Sequence, residues 1–108
     1  MGKSKILLVD DESVNLEILE EILEDDFDLS FAENGKIAME SLSHDQPDLI
    51  LLDVMMPEMT GWEVLKKVKK DPLLKLIPVI MQTALTSRED FQRGLSLGAY
   101  YYVSKPIK

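Results

Sequence analysis

There is no cysteine in this chain, and only 1 histidine and 1 tryptophan among its 108 residues. The missing thiols exclude disulfides, thiolate nucleophiles and Cys-ligated zinc in one step, and they suit a reducing compartment. Long apolar runs are missing as well, since nothing approaches the roughly 18 residues of a membrane span. The apolar run behind the first five residues is only Ile6 to Val9, short of the roughly 7–15 residues of a secretory h-region. A cytoplasmic protein with no membrane contact is therefore expected. Positive charge is scarce: 12 Lys and Arg stand against 20 Asp and Glu, a net charge of −8. Such a surface repels nucleic acid phosphate and anionic lipid, so direct DNA or RNA binding by this segment is not expected.

What is present is ordinary globular material, 45% hydrophobic and 30% charged, enough for one domain and one core. The charge is unevenly placed. Residues 1–54 hold 3 Lys against 15 Asp and Glu, whereas residues 55–108 hold 9 Lys and Arg against 5 Asp and Glu.

Apolar runs alternate with amphipathic stretches along the whole length. Ile6 to Val9, Leu49 to Leu52 and Ile77 to Met81 are continuous, as strands covered on both faces should be. Phe27 to Phe31 alternates like an edge strand, and the aromatic, β-branched stretch Tyr100 to Val103 suits the opposite edge. Between them, Leu16, Leu19, Ile22 and Leu23 share a helical face behind Ser13, an expected N-cap. Ile37, Ala38 and Leu42 give a second helix. Trp62, Leu65 and Val68 give a third, with Lys66, Lys67, Lys69 and Lys70 on its wet side. Ser87 to Leu97 gives a fourth, weakened by Gly94 at about 1 kcal/mol relative to Ala and stopped by Gly98. This βαβαβαβαβ pattern predicts an α/β fold: a doubly wound, flavodoxin-like parallel sheet of five strands in order 2-1-3-4-5. Its crevice lies at the carboxyl ends of the first and third strands.

The reactive groups gather at those strand ends. Asp10 and Asp11 follow the first strand, Asp53 the third, Thr83 closes the fourth, and Lys105 follows the fifth. Three carboxylates in one crevice repel one another unless a cation intervenes. Oxygen donors without Cys or His suit a hard ion such as Mg²⁺. Lys105 supplies a fixed positive charge and Thr83 a hydroxyl for an anion at the same place. Singly, each residue has an ordinary structural explanation, with Asp10 and Asp11 as helix caps and Lys105 as a solvated lysine. The conjunction is what points to chemistry.

Four segments carry a resemblance: Ile6-Leu7-Leu8-Val9-Asp10-Asp11, Asp53-Val54-Met55-Met56-Pro57-Glu58-Met59-Thr60-Gly61, Thr83-Ala84 and Lys105-Pro106. On these the chain resembles the receiver domain of two-component response regulators (the CheY-like superfamily) over residues 1–108. The resemblance implies a phosphoacceptor signalling domain that catalyses only its own phosphorylation and dephosphorylation. Asp53 matches the acceptor of a phosphoryl group from a sensor histidine kinase or a His phosphotransfer protein. Asp10, Asp11, Asp53 and the Met55 carbonyl match a Mg²⁺ site, with Mn²⁺ an acceptable substitute. Lys105 would pair with the phosphoryl oxygens, the Ala84 N–H would face them, and Thr83 would swing toward them. Tyr102 matches the aromatic residue that turns inward behind the moving Thr83. The Lys105-Pro106 bond would be cis, and the output partner would dock on the face of the fourth helix and fifth strand.

Two departures from the family pattern stand out. Met55 and Leu85, two residues after Asp53 and Thr83, are apolar where rapidly dephosphorylating members carry polar groups, so a long-lived phosphoryl group is expected. The sequence also stops at Lys108, where the family's fifth helix begins. Either the segment is cut from a longer protein, or a second copy or another partner covers the face beside the first helix.

His44, in a polar turn, and Trp62, in the core, are read without functional roles, and Met56 and Met59, loop residues near the site, are candidates for partner docking. Tyr100 and Tyr101 are assigned to packing or to the output surface. An aspartyl-phosphate hydrolase of the haloacid dehalogenase type needs D-x-D, and position 55 is Met. No G-x-x-x-x-G-K-[ST] nucleotide loop exists, and the Ser/Thr-rich loop of a flavin site is missing. A phosphorylation-independent binding module, and the receiver of a hybrid kinase that passes phosphate onward, stay open as alternatives.

Overall fold

The computed structural model describes residues 2–105. The elements follow in the order β1 (Ser4–Val9), α1 (Ser13–Leu23), β2 (Phe27–Ala32), α2 (Gly35–His44), β3 (Leu49–Leu52), α3 (Gly61–Lys70), β4 (Val79–Thr83), α4 (Arg88–Ser96) and β5 (Tyr101–Ser104). All strand pairs are parallel, in the order β2-β1-β3-β4-β5. The alternating β2 and the aromatic β5 do take the two edges. Ile77 and Pro78 lie before β4 rather than in it, and Pro78 contributes its carbonyl to the Ile50 N–H at 3.1 Å.

Period-two alternation sends side chains to both faces of the sheet. Leu7, Val9, Ile50, Leu52, Val79 and Met81 pack under α2 and α3 against Ala38, Leu42, Val64, Leu65 and Val68. Ile6, Leu8 and Leu51 meet Leu16 and Leu19 of α1 on the opposite face. Two core expectations fail. Ile22 is 48% exposed, and Ile37 also faces solvent. Helix α1 seats itself through Leu16, Leu19 and Leu23, so the neighbouring i, i+4, i+8 stripe of Val14, Ile18 and Ile22 is left uncovered by the described residues.

Local chemistry sets the helix ends. Thr60 and Glu63 form a reciprocal capping box at α3, and its last turn carries Lys67, Lys69 and Lys70, the favourable sign for a helix C-terminus. Lys69 is not solvated as expected: its ammonium donates to the carbonyls of Lys75 at 3.2 Å and Ile77 at 3.0 Å, tying the chain before β4 to α3. Burial lowers its pKa accordingly. Ser87 caps α4, accepting from the Asp90 N–H at 3.1 Å, and Gly98 ends that region at φ +106°. Ser13 is not a cap. Helix α1 begins at Ser13 itself, behind Glu12, whose N–H is taken by the Asp10 carboxylate at 2.9 Å.

Leu8 of β1 is fully buried against Leu16 and Leu19 of α1. Leu8→Ala should cost about 2–5 kcal/mol, read as a lower urea midpoint at unchanged slope.

Candidate functional site

Each site residue continues the sheet one step beyond its strand. The Asp10 N–H donates to the Ala32 carbonyl at 3.0 Å, Asp53 to Val9 at 2.9 Å, and Lys105 to Thr83 at 2.8 Å. Backbone pairing, not loop conformation, therefore positions the two acids and the lysine. Gly61 secures the same spot from the other side. Its N–H donates to the Val54 carbonyl at 2.9 Å, and a Cβ there would fall on the Asp53 carbonyl oxygen.

Lys105 Nζ lies 2.7 Å from Asp10 Oδ2, 2.9 Å from Glu12 Oε1 and 3.1 Å from Asp53 Oδ2. Asp10 and Asp53 are 2% and 3% exposed, so both carboxylates sit almost out of water. Asp10 is further held by the Asn15 amide, which donates to Oδ2 at 2.6 Å. Asp53 Oδ1 accepts from the Met55 N–H at 3.3 Å. Burial pushes the Asp53 carboxyl up, the Lys105 hydrogen bond opposes this, and the Asp10 charge adds to the rise. Burial works against the Lys105 charge, but hydrogen bonds to Asp10, Glu12 and Asp53 outweigh it and raise its pKa. Oxygens of Asp10, Asp11, Glu12 and Asp53 all come within 4.8 Å of one another. Four carboxylates thus face one ammonium, an imbalance that favours a further cation.

The other expected residues ring this cluster. Asp11 is exposed, as is Met55, and Ala84 is open to solvent. Thr83 is fully buried, and its hydroxyl accepts from the Leu85 N–H at 3.2 Å. Tyr102 lies inward and donates its hydroxyl to the Leu85 carbonyl at 2.8 Å. Thr83 and Tyr102 thus engage the N–H and the carbonyl of one loop residue. Asp11, Met55, Met56, Trp62 and Leu85 line a shallow, mainly apolar pocket of about 440 Å³ beside Asp53. Trp62 is buried and stacks near Tyr102, and His44 is exposed at the end of α2. The Lys105-Pro106 bond lies outside the described residues.

Sequence reasoning missed Glu12 and Asn15, and met Gly61 only as the end of the Asp53–Gly61 motif, without a role. Asn15 follows Asp10 by five residues, so its reach back to that carboxylate was implicit in the spacing, whereas Glu12 gave no signal because its partner Lys105 lies 93 positions away. Gly61 needed the close approach of two backbones to be seen.

The sequence profile described as "Response regulator receiver domain" matches residues 6–108. The chain belongs to the response regulator receiver family. This receiver is 43% identical over 105 residues to "Response regulator PleD" of Caulobacter vibrioides, a match covering 96% of the chain and 23% of PleD. It is 36% identical over 108 residues to "Polar-differentiation response regulator DivK" of Brucella anthropi, covering 99% of the chain and 87% of DivK. Among solved structures, the Mn(2+)-bound form of response regulator Rcp1 superposes with TM-score 0.89 at 31% identity, covering 97% of this chain and 83% of that one. The chain spans about a quarter of the length of the first curated relatives it matches.

The Tyr102 phenol is pushed up to about 12, by burial first and then by the charges of Asp90 and Asp53. Its folded pKa exceeds the unfolded value, so this stabilisation is complete below about pH 10 and lost as pH climbs toward 12. The urea midpoint should fall more steeply over that window in wild type than in Tyr102→Phe. At neutral pH the variant should lose about 0.5–1.5 kcal/mol with its hydrogen bond.

Proposed function

We propose that this receiver takes a phosphoryl group onto Asp53 from a phosphohistidine of a sensor kinase or a His phosphotransfer protein, and thereby switches an output partner. An Asp53 oxygen attacks phosphorus, the bond from phosphorus to the imidazole nitrogen breaks, and the ring leaves with that electron pair. The chain supplies positioning and charge compensation, which is most of what phosphoryl transfer asks of a protein. The observation that carries this reading is the buried Asp53 carboxylate with Lys105 Nζ at 3.1 Å. In that position Lys105 can exchange carboxylate oxygens for phosphoryl oxygens as the charge on the transferred group develops.

The donor set also fits a divalent cation. Asp10, Asp11 and Asp53, with the Met55 carbonyl, would hold Mg²⁺ or Mn²⁺, and the bound ion would supply charge neutralisation at the phosphoryl oxygens. Thr83 then leaves the Leu85 N–H for the new oxygens, with the exposed Ala84 beside them. The inward Tyr102 follows the same loop. The output surface is the α4 and β5 face, where Phe91, Leu95, Tyr100 and Tyr101 are exposed. No helix among the described residues is long and apolar enough to cross a membrane, and we read the domain as cytoplasmic.

Acetyl phosphate with Mg²⁺ should label wild type with a hydroxylamine-sensitive phosphoryl group, and chelation or Asp53→Asn should abolish the label. Equal labelling of wild type and Asp53→Asn, or none of either, would turn the reading toward a phosphorylation-independent binding module.

Exposed Met55 and half-buried Leu85 flank Asp53 without a group able to orient a hydrolytic water. The phosphoryl group should therefore persist. Met55→Asn combined with Leu85→Glu should shorten its half-life about tenfold, an effect on the order of 1.4 kcal/mol in the barrier. A wild-type half-life of seconds, followed as phosphate release, would contradict this.

A further inference from the structure

Gly94 lies buried in the middle of α4, where a helix favours almost any other residue. Packing supplies the reason for it. A Cβ on Gly94 would stand 2.7 Å from Tyr102 Cδ2 and 3.2 Å from Cε2, while keeping an ordinary 3.6 Å from Trp62 Cζ3. The edge of the Tyr102 ring therefore fills the space that a side chain would take. Phe91, one turn earlier on α4, meets the same ring edge-on at 5.6 Å, and Trp62 stacks on it at 6.3 Å. The ring is thus held between α3 and α4, with its hydroxyl on the Leu85 carbonyl.

We propose that Gly94 is a positioning residue, keeping open the slot that lets Tyr102 lie inward. One added methyl group forces a choice: the ring leaves the slot, or α4 lifts from β5. Either movement loosens the Tyr102 hydroxyl from Leu85, the residue whose N–H is bound to Thr83. The functional weight of the slot rests on the phosphoacceptor reading, because the Tyr102 orientation matters most if Thr83 and Tyr102 report phosphorylation.

The test uses the full chain labelled with 3-fluorotyrosine, the Tyr102 signal being assigned with Tyr102→Phe. In wild type, a soluble gadolinium chelate should broaden Tyr102 far less than the exposed Tyr100 and Tyr101. In Gly94→Ala this protection should be lost, and in Leu95→Ala, at an exposed position of the same helix, it should be kept. Helix preference gives a second measurement. Gly94→Ala should raise the urea midpoint in a Tyr102→Leu background but not in wild type. A folded Gly94→Ala protein with Tyr102 still protected, or an equal gain in both backgrounds, would overturn the slot. Acetyl phosphate labelling of wild type separates the two ideas. An unlabelled wild type sinks the phosphoacceptor reading and leaves the slot standing, whereas normal labelling with Tyr102 protected in Gly94→Ala sinks the slot alone.

Discussion

Two buried carboxylates sharing one ammonium are the constraint on which this structure turns. Asp10 and Asp53 are nearly inaccessible to water, and a charge in such a place is costly unless it is paired and hydrogen-bonded. Lys105 answers both at once, 2.7 Å from one and 3.1 Å from the other. Removing one partner from a buried pair costs about 3–5 kcal/mol, so the two acids and the lysine stand or fall together. They come from positions 10, 53 and 105, and only a sheet in which β1 and β3 are neighbours and β5 lies at the edge brings them into one crevice. Charge satisfaction and chain topology are in this sense a single requirement.

That arrangement explains why the neighbouring parts look as they do. Gly61 keeps the backbone after Asp53 from being pushed out of line, because any side chain there would strike the Asp53 carbonyl. The Lys105 N–H is bonded to the Thr83 carbonyl, while the Thr83 hydroxyl accepts from Leu85 and the Leu85 carbonyl accepts from Tyr102. Lys105 thus stands at the head of a bonded series that ends at the aromatic ring under α4. These hydrogen bonds run without a break from the site to the α4–β5 face.

Much of this was legible in the sequence, for identifiable reasons. Continuous apolar runs, alternation in β2 and helical spacing are properties of single elements, and each reports burial directly. The strand order followed because two runs had edge character and three did not. The acids, Thr83 and Lys105 could be placed together because strand ends in a parallel sheet meet at one rim. What escaped depends on pairs of elements. Ile22 and Ile37 are apolar yet exposed, because helix rotation is set by the best-packing stripe and not by every apolar residue in it. Lys69 has the composition of a wet helix face, but two carbonyls of the following segment lie where its ammonium reaches. Glu12 reads as surface acidity until Lys105, 93 positions later, arrives beside it.

The acidity of the chain takes on a different meaning in this light. The net charge of −8 is mostly solvated carboxylate on α1 and the turns. Around Asp53 the balance is instead a matter of four carboxylates and one ammonium within a few ångströms. Burial and the Asp10 charge both push protons toward Asp53, which would disarm it as a nucleophile, while Lys105 and the Met55 N–H pull the other way. The net result is an Asp53 carboxyl raised above its ordinary value, with desolvation the largest influence. Additional positive charge in the cluster would favour the ionised carboxylate and weaken the hold of Asp10 on Lys105. The same charge would then prepare the acid to react and free the lysine for the incoming group. On this argument the exposed Asp11, a proposed ligand, and Glu12 also supply the surplus negative charge that would draw a cation to the buried Asp10 and Asp53.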